Sequence, residues 1–328
     1  MSFNRKEAAT IGQFVQFAYD MFEAGGLHPP PPTGLGDAGF ELVYHLNATD
    51  SLVPDKPDQK RFYGYIARGK KDPGNLILAI RGTRGPQEWL LDFLALPVAF
   101  TPAPDKGFVA LGFLAIFNSF EFIDTARMTT TLSGAFTQLN AANTINAVTV
   151  AGHSLGSALA TLATAELAFL NIAGVKNKLK LYPFASPRVG LLKFALSFNK
   201  AVPACVRIWN VLDIVPQLPP FPFFHVNGLG TPIIQTSTQL EQLAFTPRCE
   251  HILPDYLWLL GADGSVFDAK CLIELSPQVS DGVRALKKDL TVARLTASVF
   301  EAQDAPRAKS KKKAIKKTVK SRQKPKAK

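Results

Sequence analysis

The sequence predicts an α/β fold, a mostly parallel central sheet flanked by helices, on three observations. Short apolar runs alternate with longer helical patterns along much of the chain. Two of the runs, NLILAI and AVTVAG, are apolar at nearly every position, as strands covered on both faces are. Residues 148–168, VTVAGHSLGSALATLATAELA, read as a strand that stops, turns through a serine flanked by glycines, and continues as a helix of small side chains.

Taken in order, the first helix is expected where Phe14, Phe17, Ala18, Met21 and Phe22 recur at helical spacing. GGLHPPPPTGLG breaks it. Strand candidates follow at FELVYHL, RFYGYIA and NLILAIRG, then a helical pattern over 112–140, the strand AVTVAG, a helix over 155–171, and strands at LKLYPFA and CVRIWNV. No internal repeat is visible, and the clear linker lies near residue 301. Residues 1–300 are therefore read as one domain and 301–328 as a basic tail.

At 328 residues and 47% hydrophobic content the chain can bury a large core. The N-terminal stretch MSFNRKEAATIGQFVQFAYDMFEAGG mixes acidic and basic residues, so no secretory signal is expected. No apolar run reaches the roughly 18 residues of a membrane span. Cys205, Cys249 and Cys271 lack zinc-site spacing and are too few for a disulfide framework; they read as reduced and structural, which points to the cytoplasm. Secretion without a signal peptide is left open. The net charge of +11 is located at the end of the chain: Arg307 to Lys328 holds twelve basic residues and no acidic one, leaving −1 on the rest. Such a segment is expected to be disordered in isolation, and either to contact an anionic membrane or polyanion or to serve as a solvated tail. No sequence-specific nucleic-acid recognition is expected.

In an open α/β sheet ligands gather beyond the carboxyl ends of the strands, where GHSLG places Ser154. A serine nucleophile needs a base to take its proton and an acid to orient that base. Asp213, in the loop that closes VRIWNVLDIVPQLPP, stands where the acid is expected. For the base there are two candidates, His225 in FFHVNG and His251 in CEHILPDYLWLL, and chain order does not separate them. Backbone donors for the oxyanion are expected from Leu155 and from Thr83 in AIRGTRGPQEW, whose hydroxyl could brace its loop.

With these residues in view the chain resembles the class 3 lipases, an α/β-hydrolase family, from about residue 60 to residue 260. AIRGTRGPQEWLLD is similar to the family's oxyanion stretch, VAGHSLGSALATLA to its elbow and trailing helix, PFASPRVG to its Ser-Pro-Arg-Val-Gly loop and RIWNVLDIVPQLPP to the segment carrying the acid. HILPDYL resembles the final segment with the catalytic histidine, whereas FFHVNG resembles a strand whose histidine is not catalytic; the resemblance thus implies His251. Where the family has Val-His-x-Gly-Phe this chain reads VALGF, with Ala110 at a structural histidine position.

The resemblance implies the α/β-hydrolase fold and a carboxylic ester hydrolase acting by two-step acyl transfer, with no metal or organic cofactor required. Apolar stretches flank the expected site, with lid or substrate candidates Trp89, Leu90, Phe93 and Leu94 in residues 89–100 and Phe221 and Phe223 in LPPFPFF. A neutral body with an apolar rim favours acylglycerols or related apolar esters. A phospholipase A1, a short-chain esterase and a non-catalytic lipid- or polyanion-binding protein held by its basic tail are the alternatives; a peptidase or acyltransferase would use the same triad.

Overall fold

The computed structural model describes residues 3–49, 59–83, 95–228, 230–234, 246–262, 271, 288–291 and 293–295. Helix α1 (Arg5–Ala24) starts where the Asn4 side chain accepts the Glu7 amide (3.1 Å) and ends at Gly25, whose φ of 85° suits glycine. Its buried stripe includes Phe14, Val15, Ala18 and Met21, the face that the spacing predicts. Helix α2 (Thr33–Asp37) leads into the antiparallel strands β1 (Phe40–Thr49), β2 (Lys60–Gly69) and β3 (Asn75–Ile80).

The rest follows as β4 (Pro97–Ala99), β5 (Phe108–Ala110), α3 (Leu111–Asn118), β6 (Glu121–Asp124), β7 (Thr129–Thr130) and α4 (Leu132–Ala142). Then come β8 (Ala147–His153), α5 (Leu155–Phe169), β9 (Leu179–Phe184), β10 (Gly190–Leu191), α6 (Leu192–Ala201), β11 (Ile208–Asn210), β12 (Phe223–Phe224), β13 (Thr231–Ile233) and α7 (Leu253–Leu259). The main sheet has the order β13-β11-β9-β8-β3-β2-β1-β6-β7. It is parallel from β3 through β8, β9 and β11 to β13, and antiparallel from β3 outward through β2, β1, β6 and β7. A small antiparallel sheet runs β12-β10-β5-β4.

Helices α3 to α6 cover one face of the main sheet and form the largest core cluster with Leu78, Ile80, Val148 and Val150. Helices α1 and α7 cover the other, against Ala79, Ala151, Tyr182 and Phe184. This sandwiching explains why β3 and β8 are apolar almost throughout. Helix α5 is buried along nearly its whole length, which its alanines, serine and threonines permit: Thr161 and Thr164 return their hydroxyls to the carbonyls of Ser157 and Ala160.

Two expectations are corrected. Residues 112–140 are not one helical stretch: α3 ends at Asn118, Ser119 Oγ donates to the Ile116 carbonyl (2.7 Å), and β6 pairs with β1. Pairing of Phe122 and Ile123 with Leu46 and His45 outweighs the local helical spacing. Nor are all the cysteines reduced. Cys249 and Cys271 form a disulfide, and only Cys205 is a free, buried thiol among the described residues. The cytoplasmic reading rested on reduced thiols and loses that support. Among the described residues no single helix is long and apolar enough to cross a membrane. The lid candidates Trp89, Leu90, Phe93 and Leu94, and the tail 301–328, lie outside the described residues.

Candidate active site

Ser154 sits between β8 and α5 with φ 57° and ψ −127°, a backbone conformation that side-chain-bearing residues rarely adopt. The turn is held by its neighbours. Ser154 N–H donates to the Phe184 carbonyl (3.0 Å) at the end of β9, and Ser157 N–H to the Ser154 carbonyl (2.9 Å). A Cβ on Gly152 would lie 2.3 Å from the Gly156 carbonyl oxygen, and one on Gly156 would lie 2.3 Å from that of Arg81. The two glycines let the strand, the helix and the loop after β3 pass at van der Waals distance.

Three buried side chains meet here. Ser154 Oγ lies 2.7 Å from His251 Nε2, and His251 Nδ1 lies 2.7 Å from Asp213 Oδ2. A carboxylate only accepts, so Nδ1 carries the proton and Nε2 is left to accept from the serine hydroxyl. Asp213 is 0% exposed and fully engaged: Oδ2 also accepts from Tyr256 Oη (2.8 Å), and Oδ1 accepts the Val215 amide (2.9 Å). Tyr256 in turn accepts the Asn210 amide (2.8 Å). Burial and the adjacent Asp213 carboxylate push the Tyr256 hydroxyl pKa well up, so it stays a donor.

The acid-bearing loop is clamped from the Ser-Pro-Arg-Val-Gly segment. Arg188 N–H donates to the Leu218 carbonyl (2.7 Å), and its guanidinium reaches the carbonyls of Gln217 and Pro219. On the other side Arg294 donates to the Val211 carbonyl (3.0 Å).

His225, the other downstream histidine, is turned away from Ser154. It is buried and donates from Nε2 to the Pro216 carbonyl (2.8 Å). Burial, with the charges of Arg207 and Arg188, drives its pKa well down, so it stays neutral. Thr83 lies beside His251 on the wall of a cavity of about 240 Å³, together with Gln16, Tyr19, His153, Arg248 and Leu253. The expected brace from its hydroxyl is not found among the described residues, where buried Thr83 Oγ1 has no hydrogen-bond partner. Leu155 opens α5 directly after Ser154. Phe223 is a core residue in β12, whereas Phe221 is 80% exposed and packs edge-on to Phe224. Ala110, at the family's histidine position, is fully buried at the head of α3 in the main core.

Sequence reasoning missed Tyr256, Tyr19 and His153 as parts of this assembly. His153 Nε2 lies 2.7 Å from the His251 carbonyl, to which it can only donate. Its Nδ1 therefore accepts from Tyr19 Oη (2.9 Å). Burial, and then the nearby His251, drive the His153 pKa well down, consistent with a neutral ring. Partners 134 and 98 residues apart leave no local spacing to read.

Comparison with known proteins places this geometry in a family. A family model described as Lipase (class 3) matches residues 77–223. Phospholipase A1-II 4 of Oryza sativa subsp. japonica is 32% identical over 316 residues, covering 87% of this chain and 72% of that protein. The chain belongs to the class 3 lipases. A second relative in this family, phospholipase A1 EG1, chloroplastic/mitochondrial, of Oryza sativa subsp. indica, is 27% identical over 261 residues, 66% of this chain and 57% of that protein. The chain spans about half the length of several such curated relatives. A crystal structure of a lipase from Rhizopus microsporus var. chinensis superposes with a TM-score of 0.52 at 24% identity over 67% of this chain and 71% of that one. The fold is the α/β-hydrolase fold, as expected.

Proposed function

We propose that the chain hydrolyses carboxylic esters of lipids by two-step acyl transfer. The observation that carries this reading is the unbroken buried line from Ser154 Oγ through the His251 ring to Asp213, each contact 2.7 Å. His251 Nε2 takes the serine proton as Oγ attacks the ester carbonyl, and later returns it to the leaving alcohol. Asp213 fixes the tautomer and stabilises the imidazolium. The amides of Thr83 and Leu155 receive the oxyanion, each such donor contributing roughly 10²–10³ in kcat. Water then attacks the acyl-enzyme from the side vacated by the alcohol.

Acylglycerols and related apolar esters are the favoured substrates. Relatives named as phospholipase A1, galactolipase and lipase support a glycerolipid ester and keep phospholipid as the second reading. The basic segment 307–328 would hold the protein at an anionic surface.

The test is p-nitrophenol release from short- and long-chain p-nitrophenyl esters, with Ser154→Ala beside the wild type. Turnover is expected to fall at least about a thousandfold in the variant. Deleting 307–328 should abolish salt-sensitive binding to anionic vesicles while turnover of the soluble short-chain ester persists. A wild type as inactive as Ser154→Ala would refute the hydrolase reading.

A further inference from the structure

We propose that Arg81 and Tyr19 are positioning residues for the oxyanion donor, clamping the Gly82 residue on both sides so that the Thr83 amide is aimed before substrate arrives. The inference rests on the hydrolase reading.

The Gly82 carbonyl and the Thr83 N–H belong to one planar trans peptide and point in opposite directions, so fixing the carbonyl fixes the amide. The Gly82 carbonyl accepts from Arg81 Nη1 (2.7 Å), and the Gly82 N–H donates to Tyr19 Oη (2.9 Å). Both jaws are themselves immobilised. Arg81 is 3% exposed; its guanidinium donates from Nε to the Phe62 carbonyl (2.8 Å) and lies 3.6 Å from the centre of the Phe22 ring and 4.7 Å from that of Tyr63. The Tyr19 hydroxyl has its donor and acceptor roles both occupied, because it accepts from Gly82 and donates to His153 Nδ1.

Tyr19 and Phe22 are three residues apart on α1, so one helix holds one jaw and seats the other. Among the described residues Thr83 Oγ1 has no hydrogen-bond partner. Both of the side-chain contacts to Gly82 are anchored on α1, directly through Tyr19 and, for Arg81, through the Phe22 ring. A donor held in this way stabilises charge that exists only in the transition state, so loosening it should lower kcat and leave KM in place.

Tyr19→Phe removes a single oxygen from the clamp. Arg81→Lys keeps the charge but lacks the fork that reaches both the Phe62 and Gly82 carbonyls, and it does not touch His153. Three quantities decide: kcat and KM on p-nitrophenyl butyrate, the affinity of n-butylboronic acid, and hydrogen exchange of the Gly82 amide in the full chain. The boronic acid forms a tetrahedral adduct on Ser154 Oγ that places an oxygen where the oxyanion develops.

In each variant kcat is expected to fall roughly 10- to 100-fold with KM changed by less than about twofold, and boronate affinity to fall in step with kcat. The pH midpoints of Arg81→Lys should stay at the wild-type values, and Gly82 exchange should accelerate in Tyr19→Phe. The double variant should lose less than the product of the single losses, since both act on the same residue, Gly82. Faster Gly82 exchange with unchanged kcat would overturn the proposal, as would a loss expressed in KM with boronate affinity retained. A wild type that neither turns over the ester nor binds the boronate would refute the hydrolase reading and take the clamp with it.

Discussion

At the residue scale, the arrangement depends on which nitrogen of each imidazole holds a proton, and the partners decide it. His251 faces a carboxylate through Nδ1 and a hydroxyl through Nε2, whereas His153 faces a carbonyl through Nε2 and a hydroxyl through Nδ1. The two rings lie with centroids 4.9 Å apart, yet only His251 can accept from Ser154. In Asp213→Asn the amide nitrogen, if it faces Nδ1, donates where the carboxylate accepted, which turns the His251 proton onto Nε2 and blocks it as a base. We expect kcat on p-nitrophenyl butyrate to fall about 10³–10⁴-fold with little change in fold, measured by steady-state kinetics beside near-ultraviolet circular dichroism. A loss under tenfold would remove Asp213 from the role proposed for it. This residue scale was partly legible in the sequence. Ser154 stood out because Gly-His-Ser-Leu-Gly falls between a nearly all-apolar strand and a small-residue helix; the choice of His251 over His225 did not follow from spacing, because both follow Asp213 and only tertiary packing turns His225 toward the Pro216 carbonyl.

At the element scale, the parallel half of the sheet is what the sequence displayed best. Strands β3 and β8 are buried on both faces, so their apolar character is continuous and easily read. The stretch after α3 was misread because Phe122 and Ile123 continue a helical spacing, and their partners on β1 lie some 77 residues away in sequence. The turn that carries His251 is likewise secured from a distance, by the Cys249–Cys271 disulfide across 22 residues. By loop-closure entropy a bridge of that span stabilises by about 3 kcal/mol. Dithiothreitol, or Cys271→Ser, is accordingly expected to lower the urea midpoint of unfolding. Equal midpoints with and without reductant would show that the bridge contributes nothing to stability. Spacing alone did not reveal this pair, since three cysteines permit three pairings and a reduced state equally.

At the scale of the whole molecule, acid sensitivity follows from the buried imidazoles. His153 and His225 are held neutral in the fold with depressed pKa values, chiefly by burial. The unfolded chain binds a proton at each near pH 6.5, so below that value it holds more protons than the native state. The stability these groups allow is fully present above about pH 6.5 and is lost as pH falls toward their depressed native values, by up to about 1.4 kcal/mol per pH unit for each histidine. Urea unfolding at pH 7.5 and 5.5 should therefore show the lower midpoint at pH 5.5, with a shallower loss in His225→Gln. A flat profile between the two would contradict neutral burial.

The central claim is that Ser154 is the nucleophile of a lipid esterase, and covalent trapping tests it most directly. The full chain would be incubated with a p-nitrophenyl alkylphosphonate, the released p-nitrophenol counted, and the modified peptide located by mass spectrometry. The expected result is about one equivalent released per chain with the phosphonyl group on Ser154, and none in Ser154→Ala. A wild type that releases no p-nitrophenol, or a label carried on another residue, would contradict it.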